Sequence, residues 1–235
     1  MTAAAAVEVR DVSRVLPGPV PVTLVKDVNL TLEAGEFVAV TGPSGSGKSS
    51  LLYLLGLLDR PSEGEIVLTG SSTAELDAAE AAAFRLARLG FVFQFHFLLP
   101  EFTAVDNVML PMRKLGGRSA AQIRNRAKDL LEALGLGDRL HRRPDQLSGG
   151  ERQRAAIARA LANDPAIVLA DEPTGNLDTV NAERVFETLG RLAREENRTV
   201  VVVTHNMELA DRADRRIGLR DGQNVEDQDN NSKGA

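Results

Sequence analysis

The 235-residue sequence contains no cysteine and no tryptophan, and Tyr53 is its only tyrosine. Without cysteine there are no disulfides and no thiolate metal sites, which fits a reducing compartment. The formal net charge of −5 leaves no general basic surface, so nucleic acid is not expected to be a partner. Residues 1–9 lack the basic and apolar regions of an export signal, and no apolar run reaches the roughly 18 residues of a membrane span. We therefore expect any action at a membrane to occur at its surface or through another chain.

A glycine-rich segment is the most informative stretch of the chain. Residues 42–49 fit the phosphate-binding pattern GxxxxGK[ST], between a predicted strand at 37–40 and a predicted helix at 50–58. Glycines there allow successive N–H groups to converge on phosphate oxygens, with Lys48 reaching the β and γ phosphates and Ser49 ligating Mg²⁺. A simple glycine turn with an exposed lysine is the alternative, and the flanking elements disfavour it. The predicted nucleotide-binding residues here are Gly42, Pro43, Ser44, Gly45, Ser46, Gly47, Lys48, Ser49 and Ser50.

Two acidic residues follow the apolar run 167–170. Carboxylates at the end of a central parallel strand lie on the edge where α/β proteins bind ligands. We expect Asp171 to hold Mg²⁺ through water and Glu172 to orient and deprotonate an attacking water. A helix cap or a surface pair would be the ordinary interpretation without the phosphate loop. His205 and Gln94 stand near other strand ends, and each alone would more often be structural.

A second glycine-containing helix start lies at Ser148, Gly149 and Gly150, before a helix predicted over 151–162. It offers backbone N–H groups and a hydroxyl to an anion, although a capped helix is the default interpretation. The first loop already surrounds the phosphates of one nucleotide, so a second helix start from the same chain is not needed to bind them. We therefore expect a second copy of the chain to place this helix over the γ-phosphate.

Together these motifs resemble, in order and over nearly the whole chain, those of the ATP-binding subunits of ABC transporters. The matching motifs are Walker A at 42–49, the Q-loop at Gln94, the signature at Leu147, Ser148, Gly149, Gly150 and Glu151, Walker B at 167–172, the D-loop at Asn176, Leu177 and Asp178, and the switch histidine His205.

The resemblance implies an α/β fold with a P-loop NTPase (RecA-like) core, an antiparallel β flap and an inserted α-helical subdomain. The ATP-binding domain would span residues 1–222, with the core at 1–93 and 164–222 and the helical subdomain at 94–163. The polar residues 223–235 are expected to form a flexible tail.

The resemblance also implies a head-to-tail dimer that binds two MgATP. Glu172 would be the general base, His205 the γ-phosphate sensor, and Gln94 the link to a membrane partner. Mg²⁺ would be held by Ser49, Gln94 and Asp171.

One position departs from the family pattern. Members usually stack adenine on an aromatic side chain in the hairpin before Walker A, where this chain has Val15 and Leu16. Stacking contributes about 0.5 to 1.5 kcal/mol beyond area burial. We expect apolar contact from Val15 to replace it, with some loss of affinity and base selectivity.

The segments 90–100, 103–108 and 173–178 are similar to one branch of the family, which contains lipoprotein-releasing, macrolide-efflux and cell-division ATPases. These ATPases pair with permeases of few membrane spans. The sequence around Gln94 is most similar to that of the lipoprotein-releasing subunit. Five of the eight phenylalanines lie at 91, 93, 95, 97 and 102. We expect Phe91 and Phe93 in the core and the apolar stretch 95–102 as the docking surface for such a permease, at the cytoplasmic face of the inner membrane.

Two other functions are compatible with a phosphate loop. A soluble ABC ATPase could serve an assembly, cell-division or nucleic-acid machine, but the apolar stretch and the lack of a coiled-coil insertion favour transport. A P-loop kinase or switch GTPase would carry a substrate lid or an NKxD-like run, and we find no such run. The sequence does not identify a transported molecule.

Local patterns predict the remaining elements. Residues 7–15 and 22–32 predict a hairpin, joined by a strand at 66–68 into a flap on the edge of the phosphate-loop strand. Capping boxes at 77–80 and 119–122 predict helix starts, with the first helix ended by Gly90. Apolar runs at 166–170 and 199–203 predict buried parallel strands.

Overall fold

The structure is a computed structural model that describes residues 5–230. Its strands are β1 Ala5–Leu16, β2 Val22–Glu33, β3 Phe37–Thr41, β4 Glu63–Leu68, β5 Ser71–Ser72, β6 Leu89–Phe93, β7 Ile167–Asp171, β8 Thr199–Val203, β9 Arg215–Arg220 and β10 Gln223–Asp229. Its α-helices are α1 Lys48–Leu55, α2 Ala78–Arg88, α3 Ala104–Leu115, α4 Ala120–Ala133, α5 Gly149–Ala160, α6 Thr179–Arg194 and α7 Met207–Ala210. None of the helices in this part of the chain combines the length and the apolar character needed to cross a bilayer.

A six-stranded sheet in the order β10-β9-β3-β8-β7-β6 forms the centre of the fold. All neighbours are parallel except β9 and β10. Apart from Asp171, every residue of β7 and β8 is buried, as the continuous apolar runs predict. The carboxyl ends of β3, β7 and β8 therefore meet at one edge of the sheet.

The antiparallel flap forms a second sheet in the order β2-β1-β4-β5. The prediction that it extends the edge of the phosphate-loop strand was wrong, because the flap is not paired with the large sheet. Instead its apolar face packs with α1 and one face of the large sheet in a single core. The physical reason is α1, whose buried residues Leu51, Leu52, Leu54 and Leu55 require apolar partners on both sides.

Helices α3 to α6 cover the other face of the large sheet in a second core. The capping boxes at Asp77 and Ser119 start α2 and α4 as predicted. Gly90, however, does not end α2: the helix stops at Arg88, and Gly90 lies within β6. A Cβ at Gly90 would come within 2.7 Å of the Ala160 carbonyl oxygen, so glycine there allows α5 to approach the strand.

Two further expectations need correction. Residues 223–229 form strand β10, not part of a flexible tail, while residues 231–235 lie outside the described part of the chain. Cross-strand ion pairs order this polar strand, with Arg215 to Asp227 at 2.6 Å and Arg216 to Glu226 at 3.0 Å. In β6, Leu89 and Val92 are buried in the two cores, whereas Phe91 and Phe93 are half-buried, with Phe91 packed against the core that also contains the flap.

Candidate functional site

The phosphate loop lies between β3 and α1, as its pattern predicts. Its backbone requires glycine most strictly at Gly42 and Gly47, where φ is +144° and +95°. A Cβ at these positions would lie 2.1 Å from the Leu219 carbonyl oxygen and 2.3 Å from that of Leu24. The Lys48 Nζ donates to the carbonyls of Gly42 at 2.9 Å and Pro43 at 2.8 Å. The lysine is thus folded over the loop whose N–H groups would receive phosphate.

Asp171 at the end of β7 faces the first turn of α1. Its Oδ1 accepts a 2.9 Å hydrogen bond from the Ser49 hydroxyl. Hydroxyl and carboxylate oxygens are ligands that Mg²⁺ prefers, so this pair suits the ion. The sheet and α1 bring together two of the three residues that the sequence predicted as metal ligands, Ser49 and Asp171.

Tyr53 is a member of this site that the sequence did not reveal. Its hydroxyl donates to Asp171 Oδ2 at 3.0 Å, so both carboxylate oxygens are held from α1. Burial, followed by the nearby Asp171 charge, raises the pKa of Tyr53 and keeps its hydroxyl protonated as a donor. The available signal was spacing, because residues 49 and 53 are one helical turn apart on the same face.

Glu172 and His205 lie side by side at the same edge. The Glu172 Oε2 and His205 Nδ1 atoms are 2.9 Å apart. The backbone of Glu172 is in the left-handed region at φ +46°, and its N–H donates to the Val203 carbonyl at the end of β8. Since left-handed backbone is costly for glutamate, the sheet edge holds this residue in a fixed position.

Gln94 directly follows β6, whose last residue, Phe93, lies opposite Asp171 in the sheet. Its Nε2 donates to Asn176 Oδ1 at 3.2 Å, and Asn176 Nδ2 donates back to the Gln94 carbonyl at 3.4 Å. The Q-loop and the D-loop segments are therefore joined. The role of Gln94 as a Mg²⁺ ligand remains a prediction.

The signature motif begins α5 with a complete capping box. Ser148 N–H donates to Glu151 Oε2 at 2.8 Å, and Ser148 Oγ accepts from Glu151 N–H at 3.3 Å. The Ser148 N–H, together with Arg139, holds the pKa of Glu151 below its usual range. Within residues 5–230, no hydrogen bond joins this helix start to the phosphate loop. The two helix starts are thus separate in one copy of the chain.

The D-loop lies against the signature helix. Asp178 caps α6, accepting from the backbone N–H of Asn181 at 3.0 Å and from its side-chain amide at 2.6 Å. A Cβ at Gly150 would lie 2.3 Å from Asn181 Oδ1, so α5 and α6 are in close contact there. Val15, in contrast, lies half-buried at the end of β1, and its adenine contact remains a prediction.

This chain is similar to known proteins of one family. The ABC transporter family matches residues 25–175. The lipoprotein-releasing system ATP-binding protein LolD 1 of Chlorobium chlorochromatii is 52% identical over 201 residues, covering 86% of this chain and 82% of its own. The LolD protein of Anaeromyxobacter dehalogenans is 53% identical over 218 residues, covering 93% and 91%.

Solved structures of a similar fold include two of the ATP-binding cassette MJ0796. One is a dimeric post-hydrolysis state bound to ADP and Pi, with a TM-score of 0.88, 41% identity and coverage of 95% of this chain and 98% of that chain. The other is a dimeric structure described as a bacterial ABC transporter cassette, with a TM-score of 0.87, the same identity and the same coverage. The predicted fold class, with its β flap and helical subdomain, is confirmed. The chain therefore belongs to the ABC transporter family and is an ABC-type ATPase.

Proposed function

We propose that this chain hydrolyses ATP as the nucleotide-binding subunit of a lipoprotein-releasing ABC system. The observation that carries the proposal is one edge of the sheet, where Asp171 lies 2.9 Å from Ser49 of the phosphate loop and the next residue, Glu172, lies 2.9 Å from His205. The choice of lipoprotein release over other transport rests on the relatives that are 52% and 53% identical.

Each group in this edge has a chemical task. The loop N–H groups bind the phosphates, and Lys48 exchanges two carbonyl partners for phosphate oxygens. Ser49 and Asp171 would hold Mg²⁺, which screens phosphate charge when bound. Glu172 takes the proton of the attacking water, and His205 fixes the orientation of its carboxylate.

The second helix start completes the site from a neighbouring copy. Ser148 and the N-terminus of α5 have no phosphate to bind within their own chain, whereas a head-to-tail dimer would supply one. The dimeric ATP-binding cassette structures support the formation of a dimer. Two such composite sites would form in each dimer.

The membrane partner docks on the segment after Gln94. Phe95 and Phe97 are 63% and 61% exposed there, a large apolar surface for a loop. Because Gln94 is bonded to the D-loop residue Asn176, movement of this segment can reach the nucleotide site. The subunit would act from the cytoplasmic face of the inner membrane, attached through a permease.

Substitution Glu172→Gln tests the general base. The amide cannot accept the proton, so we expect ATP hydrolysis to fall by about 10²- to 10⁴-fold while MgATP binding persists. Phosphate release and nucleotide binding are measured on the same preparation. Glu187→Gln, a matched change on the exposed side of α6, should leave both unchanged. Full turnover in Glu172→Gln would remove the assigned role.

Mixing two inactive variants tests the shared site. Lys48→Ala removes the phosphate contact, and Ser148→Asp keeps a good helix cap while placing a negative charge toward phosphate. Each variant alone should be inactive. An equal mixture should recover about a quarter of the wild-type activity, because half of the dimers hold one working site. A mixture that stays inactive argues against sharing.

A further inference from the structure

The start of α5, which the proposed function assigns to phosphate binding from a neighbouring copy, carries a carboxylate of its own. Glu151 is the third residue of α5, and its backbone N–H belongs to the first turn, where it donates to Ser148 Oγ at 3.3 Å. A helix N-terminus attracts anions through its free N–H groups and its dipole. A negative side chain in the same turn opposes the approach of a second anion, so this helix start needs a compensating cation.

Arg139 supplies that cation. Its Nε donates to Glu151 Oε1 at 3.0 Å, while Glu151 Oε2 accepts from the Ser148 N–H at 2.8 Å. Both carboxylate oxygens are therefore bonded within the chain. In the described part of the chain, Arg139 is the one cation within 4.0 Å of this carboxylate. Arg154, further along α5, acts on Glu151 at longer range, and its Nε donates to the Leu134 carbonyl at 3.1 Å.

The loop that carries Arg139 is fixed to α3. Arg139 ends a short 3-10 turn, and its backbone N–H donates to the carbonyl of the buried Leu136 at 2.9 Å. The next carbonyl, that of Leu140, accepts from the Val105 N–H at 3.0 Å in the first turn of α3. Arg139 therefore reaches Glu151 from an ordered backbone. An exposed ion pair contributes little to stability, so the main effect of this pair is expected on the charge that a ligand meets at the helix start.

We propose that Arg139 is a positioning residue for ATP hydrolysis in the shared site. By pairing with Glu151 it cancels the negative charge in the first turn of α5 and keeps both carboxylate oxygens in bonds within the chain. A phosphate from the neighbouring copy then meets a helix start of net positive character. Because the phosphates carry several negative charges, one uncancelled carboxylate would repel each of them. The inference rests on the proposed function and adds a residue outside the motifs named above.

A double-substitution cycle separates charge cancellation from a merely structural role. Arg139→Gln removes the cation, and Glu151→Gln removes the carboxylate while keeping a residue that suits the capping box. The double variant carries neither charge. Arg139→Lys retains the charge, and Arg142→Gln removes an exposed arginine from the same loop as a control. All variants are made in the full chain, and ATP hydrolysis is measured against ATP concentration at about 0.05 and 0.5 M salt.

We expect Arg139→Gln to raise the KM for ATP about three- to tenfold at low salt, with kcat changed by less than about twofold. High salt should remove most of this increase, because it screens the uncancelled charge. Addition of Glu151→Gln should return KM to within about twofold of the Glu151→Gln single variant. Arg139→Lys and Arg142→Gln should stay within about twofold of the wild type. A fluorescent ATP analogue should bind the monomeric Arg139→Gln chain with unchanged affinity, since this helix start acts on the nucleotide of the neighbouring copy.

The outcomes separate this inference from the proposed function. An unchanged KM in Arg139→Gln, or an increase that persists at high salt or in the double variant, overturns the inference and leaves the proposed function standing. An equal increase in Arg142→Gln also overturns it, because a general loss of positive charge would then be the cause. Absence of ATP hydrolysis in the wild-type chain would instead remove the proposed function. Equal melting temperatures of Arg139→Gln and Arg142→Gln exclude unfolding as the cause of a raised KM.

Discussion

Replacing Asn107 by alanine should lower the free energy of unfolding by about 2 to 4 kcal/mol. Asn107 is fully buried in α3, where its side chain holds the loop that follows the Q-loop segment. Its Oδ1 accepts from Leu99 N–H at 2.8 Å, and its Nδ2 donates to the carbonyls of Leu99, Phe102 and Thr103 at 3.1, 3.2 and 3.0 Å.

The magnitude follows from which groups the substitution leaves without a partner. The Leu99 carbonyl also accepts from Phe102 N–H, and the Thr103 carbonyl accepts from the backbone of residue 107. Both keep a bond in the variant. The Leu99 N–H and the Phe102 carbonyl lose the bonds to the side chain, and because both sites are only partly buried, each loss costs toward the lower end of about 1 to 3 kcal/mol. Part of that loss is offset because the variant no longer buries the polar side-chain amide of Asn107.

Urea denaturation without nucleotide measures the change, because bound ligand would add its own stabilisation. The matched control is Asn125→Ala on the exposed surface of α4, where alanine should change stability by no more than about 0.5 kcal/mol. A loss below about 1 kcal/mol in Asn107→Ala, or an equal loss in the control, would refute the reasoning. The same variant should weaken attachment to the membrane partner while retaining ATP binding, since the docking loop and not the phosphate loop loses its support.

Tyr53→Phe removes one of the two hydrogen bonds that hold the Asp171 carboxylate. The Mg²⁺ concentration that half-saturates hydrolysis should therefore rise by up to about tenfold, with turnover recovering at high Mg²⁺. An unchanged Mg²⁺ titration would contradict this. Asp164, bonded to Arg198 at 2.5 Å, has a pKa held below its usual range by that hydrogen bond. A carboxyl group whose pKa is lower in the folded than in the unfolded state stabilises the fold at pH values above its unfolded-state pKa. This stabilisation is lost as the pH falls through its folded-state pKa. Asp164→Asn should therefore be less stable than wild type at pH 7 in urea denaturation, with the difference shrinking below about pH 4; a difference independent of pH would contradict it.

The parts of the site that the sequence predicted are those determined locally. The phosphate loop is a contiguous pattern, and Asp171 and Glu172 directly follow a continuous apolar strand, so periodicity alone places them at the sheet edge. The capping boxes are equally local, because each involves residues three positions apart.

The parts that the sequence missed depend on contacts between distant segments. The bond from Tyr53 to Asp171 joins residues 118 positions apart, and the helical spacing of residues 49 and 53 is the one local pattern that relates to it. Strand β10 lacks apolar alternation, so its composition indicates a solvated tail until the ion pairs to Arg215 and Arg216 are known. The position of the flap likewise depends on which faces α1 leaves uncovered, a property of the packed structure.

The Lys48 ammonium group donates to two carbonyl oxygens of its own loop. A mobile lysine side chain would lose about 2 kcal/mol of rotamer entropy on binding. The Lys48 side chain is already ordered in the folded chain, so it loses less. Nucleotide entry then becomes an exchange of acceptors on an already ordered side chain. Calorimetry of nucleotide binding should consequently show a smaller entropic penalty than a mobile lysine would impose.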